Sequence, residues 1–520
     1  MRAILLGCLV SLVIGPSAAA RPPTTPEGTA TEPDLRLTEP LDAVVHDLET
    51  FIPGYIAEKR VPGAAIALIR DGEVVWTSGF GVANTITAEP VTSDTLFEVA
   101  SNTKVISSYL ALRLVDQGVL DLDRPLDDYL SEPFLPQAGY RGAVTLRHVL
   151  SHSSGLGHTT LSRELLFPPG RGYSYSGLGF LYLKRVLDEV TGRSLDELGE
   201  ELVFEPLGMR SSSYVNEARE LTVRTANGHL RAAVPTAFFL LLYLVALFVA
   251  GLIGFMVLRV RTGRWRPGTR QVVGTLIAAL ALSLALTFVL LGVVGLWEFA
   301  WIIAFVGLGL AAAFGLLLAA GRSVLRMMFA GRRRWRIAMV AVWTLVVFVG
   351  LGLLVVGVRN LPVPRWPPVP ADAAGSVRAT AGDMATFLIE LSDPVLLEEE
   401  TAAQLRTPQI RLSDDLSWGL GPGIQHSRQG DALWQWGQHV DFQSLMILYP
   451  RHGLGVVVLT NSDLLDPDVA IPIAHRAIGG KMEPIRRASH LEFNYRQPLK
   501  TAGTTEQDAI IESFNGRLSG

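Results

Sequence analysis

The sequence predicts an α/β fold of the mixed α+β kind: antiparallel hairpins and helices, interrupted by four membrane-crossing helices. Three observations carry that reading. Ala64–Ile69 and Val74–Trp76 flank Arg70-Asp71-Gly72-Glu73, and an Asp-Gly turn between apolar runs is a strong hairpin signal. Ser444–Tyr449 and Leu454–Leu459 flank Pro450-Arg451-His452-Gly453 in the same way. Between these strand signals lie apolar stretches at 235–258, 272–297, 299–320 and 337–358, none of which contains Asp, Glu, Lys, Arg or His. Each is close to the ~20 residues a helix needs to cross a bilayer.

The elements follow in chain order. Residues 1–20 place one cation, Arg2, before an apolar run that ends in Ala18-Ala19-Ala20, the layout of a secretory signal peptide. Residues 21–40, rich in Pro, Thr and Glu at their start, form a flexible spacer. Apolar spacing predicts a helix from Leu41 to about Ala57, kinked at Pro53. A second helix runs from Ser101 to Gln117, ended by Gly118. A helical, loop-rich region continues to about residue 231. After the apolar block, Pro362, Pro364, Pro367, Pro368 and Pro370 make a stiff exit. Thr380-Ala381-Gly382-Asp383 has the form of a helix start. A polar tail is expected over 485–520.

Composition narrows the function classes. The net charge is −4 and the pI about 6.2, so no basic field points to nucleic acid. A mean hydropathy of +0.32 is high for a chain without membrane segments. Cys8 is the only cysteine, which excludes an internal disulfide, a cysteine zinc site and a cysteine nucleophile in the body of the chain.

The basic residues orient the apolar block. Arg259, Arg261, Arg264, Arg266 and Arg270 follow the first stretch, and Arg322, Arg326, Arg332, Arg333, Arg334 and Arg336 follow the third. By the positive-inside rule both loops are cytoplasmic. An even number of crossings returns the chain to the side it left. Sequence before and after the block, 41–231 and 370–480, is therefore expected to share the extracytoplasmic space of a multi-pass cell-membrane protein and to build one domain.

Chemistry concentrates in Ser101-Asn102-Thr103-Lys104. Three residues are nearly one helical turn, so the hydroxyl and the amine share a face. A serine attacks a carbonyl only when a base takes its proton, and a lysine with a lowered pKa can be that base. An N-cap serine with a surface lysine is the competing reading. No G-x-S-x-G elbow and no H-E-x-x-H pair occurs, which removes the usual signals of an α/β-hydrolase and of a zinc protease.

Around this tetrad the chain resembles the serine β-lactamase-related, penicillin-binding-protein-like family, which includes class C β-lactamases, D-alanyl-D-alanine carboxypeptidases, D-aminopeptidases and some esterases. The matching residues run in order: Pro62-Gly63-Ala64-Ala65, Gly79-Phe80-Gly81-Val82-Ala83, Asp94 through Lys104, Leu120 through Leu126, and Thr145 through Leu156. They cover about 41–230 and 372–480 and skip the apolar block. The resemblance implies an antiparallel sheet covered by helices, a helical subdomain, and a site between them. It makes Ser101 the nucleophile, Lys104 its base, and Tyr175 a proton-transfer partner. Gly177 stands where the family's Tyr-x-Asn motif usually has Asn. Gln435-Trp436-Gly437 stands for the family's Lys-Thr-Gly or His-x-Gly, so Gln435 replaces a cation. The N–H groups of Ser101 and Gln438 are the implied oxyanion hole, with Gly437 giving close approach. His439 either supplies the missing cation or lines the rim, and His152 is implied to be structural.

The expected function is a membrane-anchored serine hydrolase that forms an acyl-enzyme on an amide or ester carbonyl. Its expected partners are a small-molecule or peptide substrate of cell-wall type, and the lipid bilayer. No cofactor and no metal is required. Two alternatives stand beside it: a catalytically weak sensor or binding module, and a transporter with an accessory hydrolase domain. The absence of ionisable groups in the four stretches speaks against transport.

Overall fold

Strands from both ends of the chain build one sheet. The computed structural model describes residues 33–135, 143–158, 163–214, 224–230, 361–362, 371–439, 441–462 and 469–491. Apart from Leu361 these belong to one compact unit; residues 231–361 fall in a second, of which only Leu361 is described.

Helix α1 (Leu41–Glu58) comes first and contains Pro53. It buries Val44, Leu48, Ile52 and Ile56, a single stripe at four-residue spacing. Then come β1 (Gly63–Arg70) and β2 (Glu73–Asn84), joined through Asp71 at φ 54° and Gly72 at φ 74°. A two-residue turn of this type needs positive φ at both positions, which Asp-Gly accommodates. β3 (Glu89–Pro90) and β4 (Phe97–Glu98) precede α2 (Asn102–Asp116). The helical part holds α3 (Leu146–Leu150), α4 (Gly177–Thr191) and α5 (Leu195–Gly199). Next are the short β5 (His229–Leu230), β6 (Leu361–Pro362) and β7 (Arg378–Ala379), then α6 (Ala381–Ser392) and α7 (Glu399–Arg406). β8 (Ile410–Ser413), β9 (Leu416–Trp418), β10 (Gly423–Gln425), β11 (Ala432–Gln438), β12 (Gln443–Tyr449) and β13 (Leu454–Thr460) follow, with α8 (Ala470–Ile478) and α9 (Glu483–Leu491).

Among the described residues, nine strands form an antiparallel sheet in the order β3-β2-β1-β13-β12-β11-β10-β9-β8. The two hairpins read from sequence meet where β1 pairs with β13, so sequence on both sides of 231–360 shares the sheet. Ile66, Val458, Leu445 and Trp436 form one cross-strand row, and Ala67, Val457, Met446 and Gln435 the next. Opposed residues share a face and successive rows alternate. The first row packs with α1 and α8, and the apolar members of the second with α2 and α6. Helices cover both faces, so every residue of β12 and β13 is buried and the strands read as continuous apolar runs.

The membrane expectation is corrected. Among the described residues no helix is long and apolar enough to cross a membrane. The 18-residue α1 illustrates why: it carries Asp42, Asp47, Glu49 and Glu58. The structure thus gives neither the four spanning helices nor a basis for multi-pass membrane localisation. The stretches 235–258, 272–297, 299–320 and 337–358 lie outside the described residues, as do the leader-like segment 1–20 and the residues beyond 491. Ile485 and Ala488, which fall within the expected tail, belong to α9 and are buried in the core.

Candidate active site

Ser101 is positioned by a short, heavily tied segment. Ala100 has φ 47°, a left-handed conformation that is rare for a residue with a Cβ and costs on the order of 1–3 kcal/mol unless its surroundings hold it. The holding contacts are explicit. Val99 N–H donates to the Val377 carbonyl at 3.0 Å, and Ser444 Oγ donates to the Val99 carbonyl at 2.7 Å. Asn102 Nδ2 donates to Ser444 Oγ at 2.7 Å. Val377 N–H donates to Thr103 Oγ1 at 3.1 Å. Ser101 follows as the first residue before α2, and its hydroxyl makes no capping bond. That removes the reading of Ser101 as a helix cap.

Gly437 meets this segment from β11. A Cβ there would lie 2.3 Å from Ser444 Oγ, 2.3 Å from the Val99 carbonyl and 3.0 Å from Ser101 N. Glycine at this position lets the strand touch the backbone of Val99 and Ser101. Beyond Trp434, β11 pairs among the described residues with β12 alone, because β10 begins at Gly423 opposite Trp434.

Lys104 lies on the first turn of α2. It is 3 % exposed and Ser101 7 %. Its Nζ donates to Ser101 Oγ at 2.9 Å and to the Ala374 carbonyl at 2.9 Å. Asp372 shapes that carbonyl's turn, since its Oδ1 accepts from Ala374 N at 2.7 Å and Gly375 N at 2.9 Å. With one N–H taken by Ala374, a neutral amine can turn its lone pair to the serine proton.

Tyr175 closes the other side. Lys104 Nζ is 5.0 Å from its ring centroid, and Gln435 Nε2 donates to its hydroxyl oxygen at 3.0 Å. The same amide nitrogen donates to the Trp436 carbonyl at 3.0 Å. A carbonyl only accepts, so this bond fixes which way the amide faces. His152 stacks on Tyr175 at 4.3 Å between centroids, and its Nδ1 accepts from Ser176 N at 3.0 Å. Burial, then the Lys104 charge, holds His152 well below the usual imidazole range, so it is neutral. His158 is pushed down to about 3 by the same causes. Gly177 opens α4, and a Cβ there would be 3.0 Å from the His158 carbonyl and 3.8 Å from its ring. His158 thus fills the room a side chain at 177 would enter.

Gln438 ends β11, and His439 follows in the turn to β12, its N–H donating to the Phe442 carbonyl at 2.8 Å. His439 Nδ1 lies 2.9 Å from Glu98 Oε2, and Arg378 donates to Glu98 Oε1 at 2.7 Å. Burial alone would raise the Glu98 pKa, but the His439 bond and the Arg378 charge hold it down at about 2. Burial lowers that of His439, while Glu98, Asp441 and Asp372 raise it above the ordinary value.

The structure therefore gathers Ser101, Lys104, Tyr175, Gln435, Gly437 and, through Glu98, His439 around one point, with Gly177 behind Tyr175. Sequence reasoning missed the Ala374 carbonyl, because a main-chain acceptor has no residue-type signature. It missed the Glu98–His439 pair, because 341 positions separate the partners. A second hydrogen-bonded set, Ser417 Oγ to His426 Nε2 at 2.8 Å and His426 Nδ1 to Asp431 Oδ1 at 2.9 Å, has the look of a catalytic triad. Ser417 is only 1 % exposed, in β9, and the set ties β9, β10 and the turn after it.

Comparison with known proteins bears on this site. A family model described as Beta-lactamase matches residues 48–242 and 352–480. Esterase EstB of Burkholderia gladioli is 33% identical over 32% of this chain and 50% of its own length. Penicillin-binding protein 4 of Amycolatopsis lactamdurans is 32% identical over 33% and 50%. D-aminopeptidase of Gluconobacter oxydans is 31% identical over 35% and 36%. The match thus spans about half the length of the first two relatives and less of the third. Among solved structures, the octameric penicillin-binding protein homologue from Pyrococcus abyssi superposes with a TM-score of 0.53, covering 83% of this chain and 76% of that one at 19% identity. That likeness is one of fold.

Proposed function

The chain belongs to the Beta-lactamase family, and on that footing we propose that it is a serine hydrolase working through an acyl-enzyme at Ser101. The observation that carries the reading is the buried Lys104 Nζ, 2.9 Å from both Ser101 Oγ and the Ala374 carbonyl. Ser101 Oγ attacks an ester or amide carbonyl carbon, and Lys104 takes its proton. The carbonyl oxygen becomes an oxyanion facing the Ser101 and Gln438 N–H groups. The tetrahedral centre collapses, the C–O or C–N bond breaks, and the leaving group receives a proton through Lys104 or Tyr175. Water then repeats the attack on the acyl-serine and regenerates the hydroxyl.

Small neutral esters are the proposed substrate class. Gln435 brings no charge to the position, and its amide nitrogen is engaged with Tyr175 and Trp436. The match to a protein named as an esterase supports this. Labelling with a fluorophosphonate tests the reading: the wild type should be labelled and Ser101→Ala should not. Equal labelling of the two would overturn it. A second reading, a pocket that acylates without turning over, draws on the crowding of Gly177 by His158. It predicts a burst of one product per chain with no steady state.

A further inference from the structure

Three pieces of chain must hold still for the proposed chemistry: the Ser101 turn, the end of β11, and the Asp372–Gly375 turn that faces Lys104. Two paired side chains, Glu98 and His439, link these regions. Glu98 stands three residues before Ser101, in β4. His439 stands one residue after Gln438. Their side chains meet at 2.9 Å between Nδ1 and Oε2. The other ring nitrogen, Nε2, lies 2.8 Å from where a Cβ on Gly375 would sit, next to the carbonyl that accepts from Lys104. Arg378 holds the far oxygen of Glu98 at 2.7 Å, and β4 pairs with β7 through Glu98 opposite Arg378.

The two chain ends joined by this contact are the ones that would present the oxyanion donors. A separate tie from β12 acts on the Val99–Asn102 side, where Ser444 Oγ donates to the Val99 carbonyl and accepts from Asn102 Nδ2. Resting on the serine-hydrolase reading, we propose that the His439–Glu98 ion pair is a strap that sets the spacing of the Ser101 and Gln438 N–H groups, so that the strapped, protonated form of His439 is the fast form. His439 and Glu98 are positioning residues here; neither needs to touch substrate.

The groups facing His439 are Glu98, with Arg378 behind it, and the carboxylates of Asp372 and Asp441. Burial disfavours the imidazolium, but the Glu98 bond and the three carboxylates outweigh it, so the His439 pKa stands above the ordinary histidine value. The sign follows. A raised folded-state pKa means the pair is complete at lower pH and is lost as pH rises through that pKa. Deprotonation removes the charge from the bond, and the strap loosens. Lys104 has the opposite dependence, because a base must be deprotonated to accept the serine proton.

The test is the rate of Ser101 phosphonylation by a fluorophosphonate across about pH 5 to 10, on the full chain, with Tm recorded for each variant. The phosphonyl oxygen occupies the oxyanion position, so no natural substrate is needed. The wild type should rise with pH and then fall again at an alkaline arm. His439→Gln should lose that falling arm and react about tenfold more slowly at the wild-type optimum, a fraction of the ~100- to 1,000-fold seen when an oxyanion donor is removed outright. Glu98→Gln also removes the ion pair, so it should react about as slowly as His439→Gln, and any falling arm that remains should lie about one pH unit or more toward acid, since a nearby opposite charge shifts a pKa by that scale. A wild type with no falling arm overturns the strap, even if His439→Gln does not fold. So does a folded His439→Gln with the wild-type rate and arm, or an arm unmoved in Glu98→Gln. A wild type that never labels overturns the hydrolase reading itself, and the strap with it.

Discussion

Gln435 Nε2 donates to the Tyr175 hydroxyl oxygen across 3.0 Å, and both groups are buried. The bond gives Gln435 a role toward a neighbouring side chain rather than toward a ligand's charge. It also leaves the phenol proton to be donated in another direction. Gln435→Leu should therefore lower kcat about 2- to 10-fold with KM little changed, the range of one neutral hydrogen bond. Steady-state kinetics on a p-nitrophenyl ester would show it. Gln435→Lys should instead raise kcat/KM for a cephalosporin relative to that ester. A wild type that already prefers the cephalosporin by orders of magnitude would sink the neutral-ester reading.

Lys104→Ala should slow acylation at least ~100-fold, the scale of a positioned base. Lys104→Arg should not restore it, because a guanidinium stays protonated and cannot accept the serine proton. Single-turnover labelling rates separate acylation from later steps.

Asp372→Ala removes the acceptor of two backbone N–H groups in the turn that presents the Ala374 carbonyl. Lys104 then loses a fixed partner. We expect a fall of about tenfold in kcat, with a loss of on the order of 1–3 kcal/mol in stability from the two stranded donors. Urea titration and kinetics measured together would check both.

Gly437→Ala should be inactive. The added Cβ meets Ser444 Oγ and the Val99 carbonyl at 2.3 Å, and one of these is backbone that cannot move without displacing Ser101. A folded Gly437→Ala with wild-type labelling would show that β11 does not form the wall of the site.

Ile66→Ala tests the joining of the two chain regions. Ile66 is fully buried opposite Val458, and a deletion of this kind costs about 2–5 kcal/mol. The loss should appear in a single cooperative transition that also reports on Trp434 and Trp436. Two separate transitions would mean that the first and second regions fold independently.

Local pattern was enough for the hairpins at 63–84 and 443–460, for α2, and for the Thr380 helix start, whose side chain accepts from Asp383 N at 3.0 Å. Apolar runs, turn residues and caps act over a few positions, so the sequence states them directly. The Ser101–Lys104 pair was legible for the same reason, since one helical turn joins its members. The membrane reading rested on apolar length, the lack of charge in the four stretches and the arginines between them, and among the described residues no helix is long and apolar enough to cross a membrane. What only the tertiary structure decided lies between distant segments. β1 joins β13, Gln435 turns to Tyr175, the Ala374 carbonyl meets Lys104, and Glu98 reaches His439. Each of these depends on a register or a turn set by packing, and a hydrogen bond's partner is chosen by where the fold leaves it, not by what precedes it in the chain.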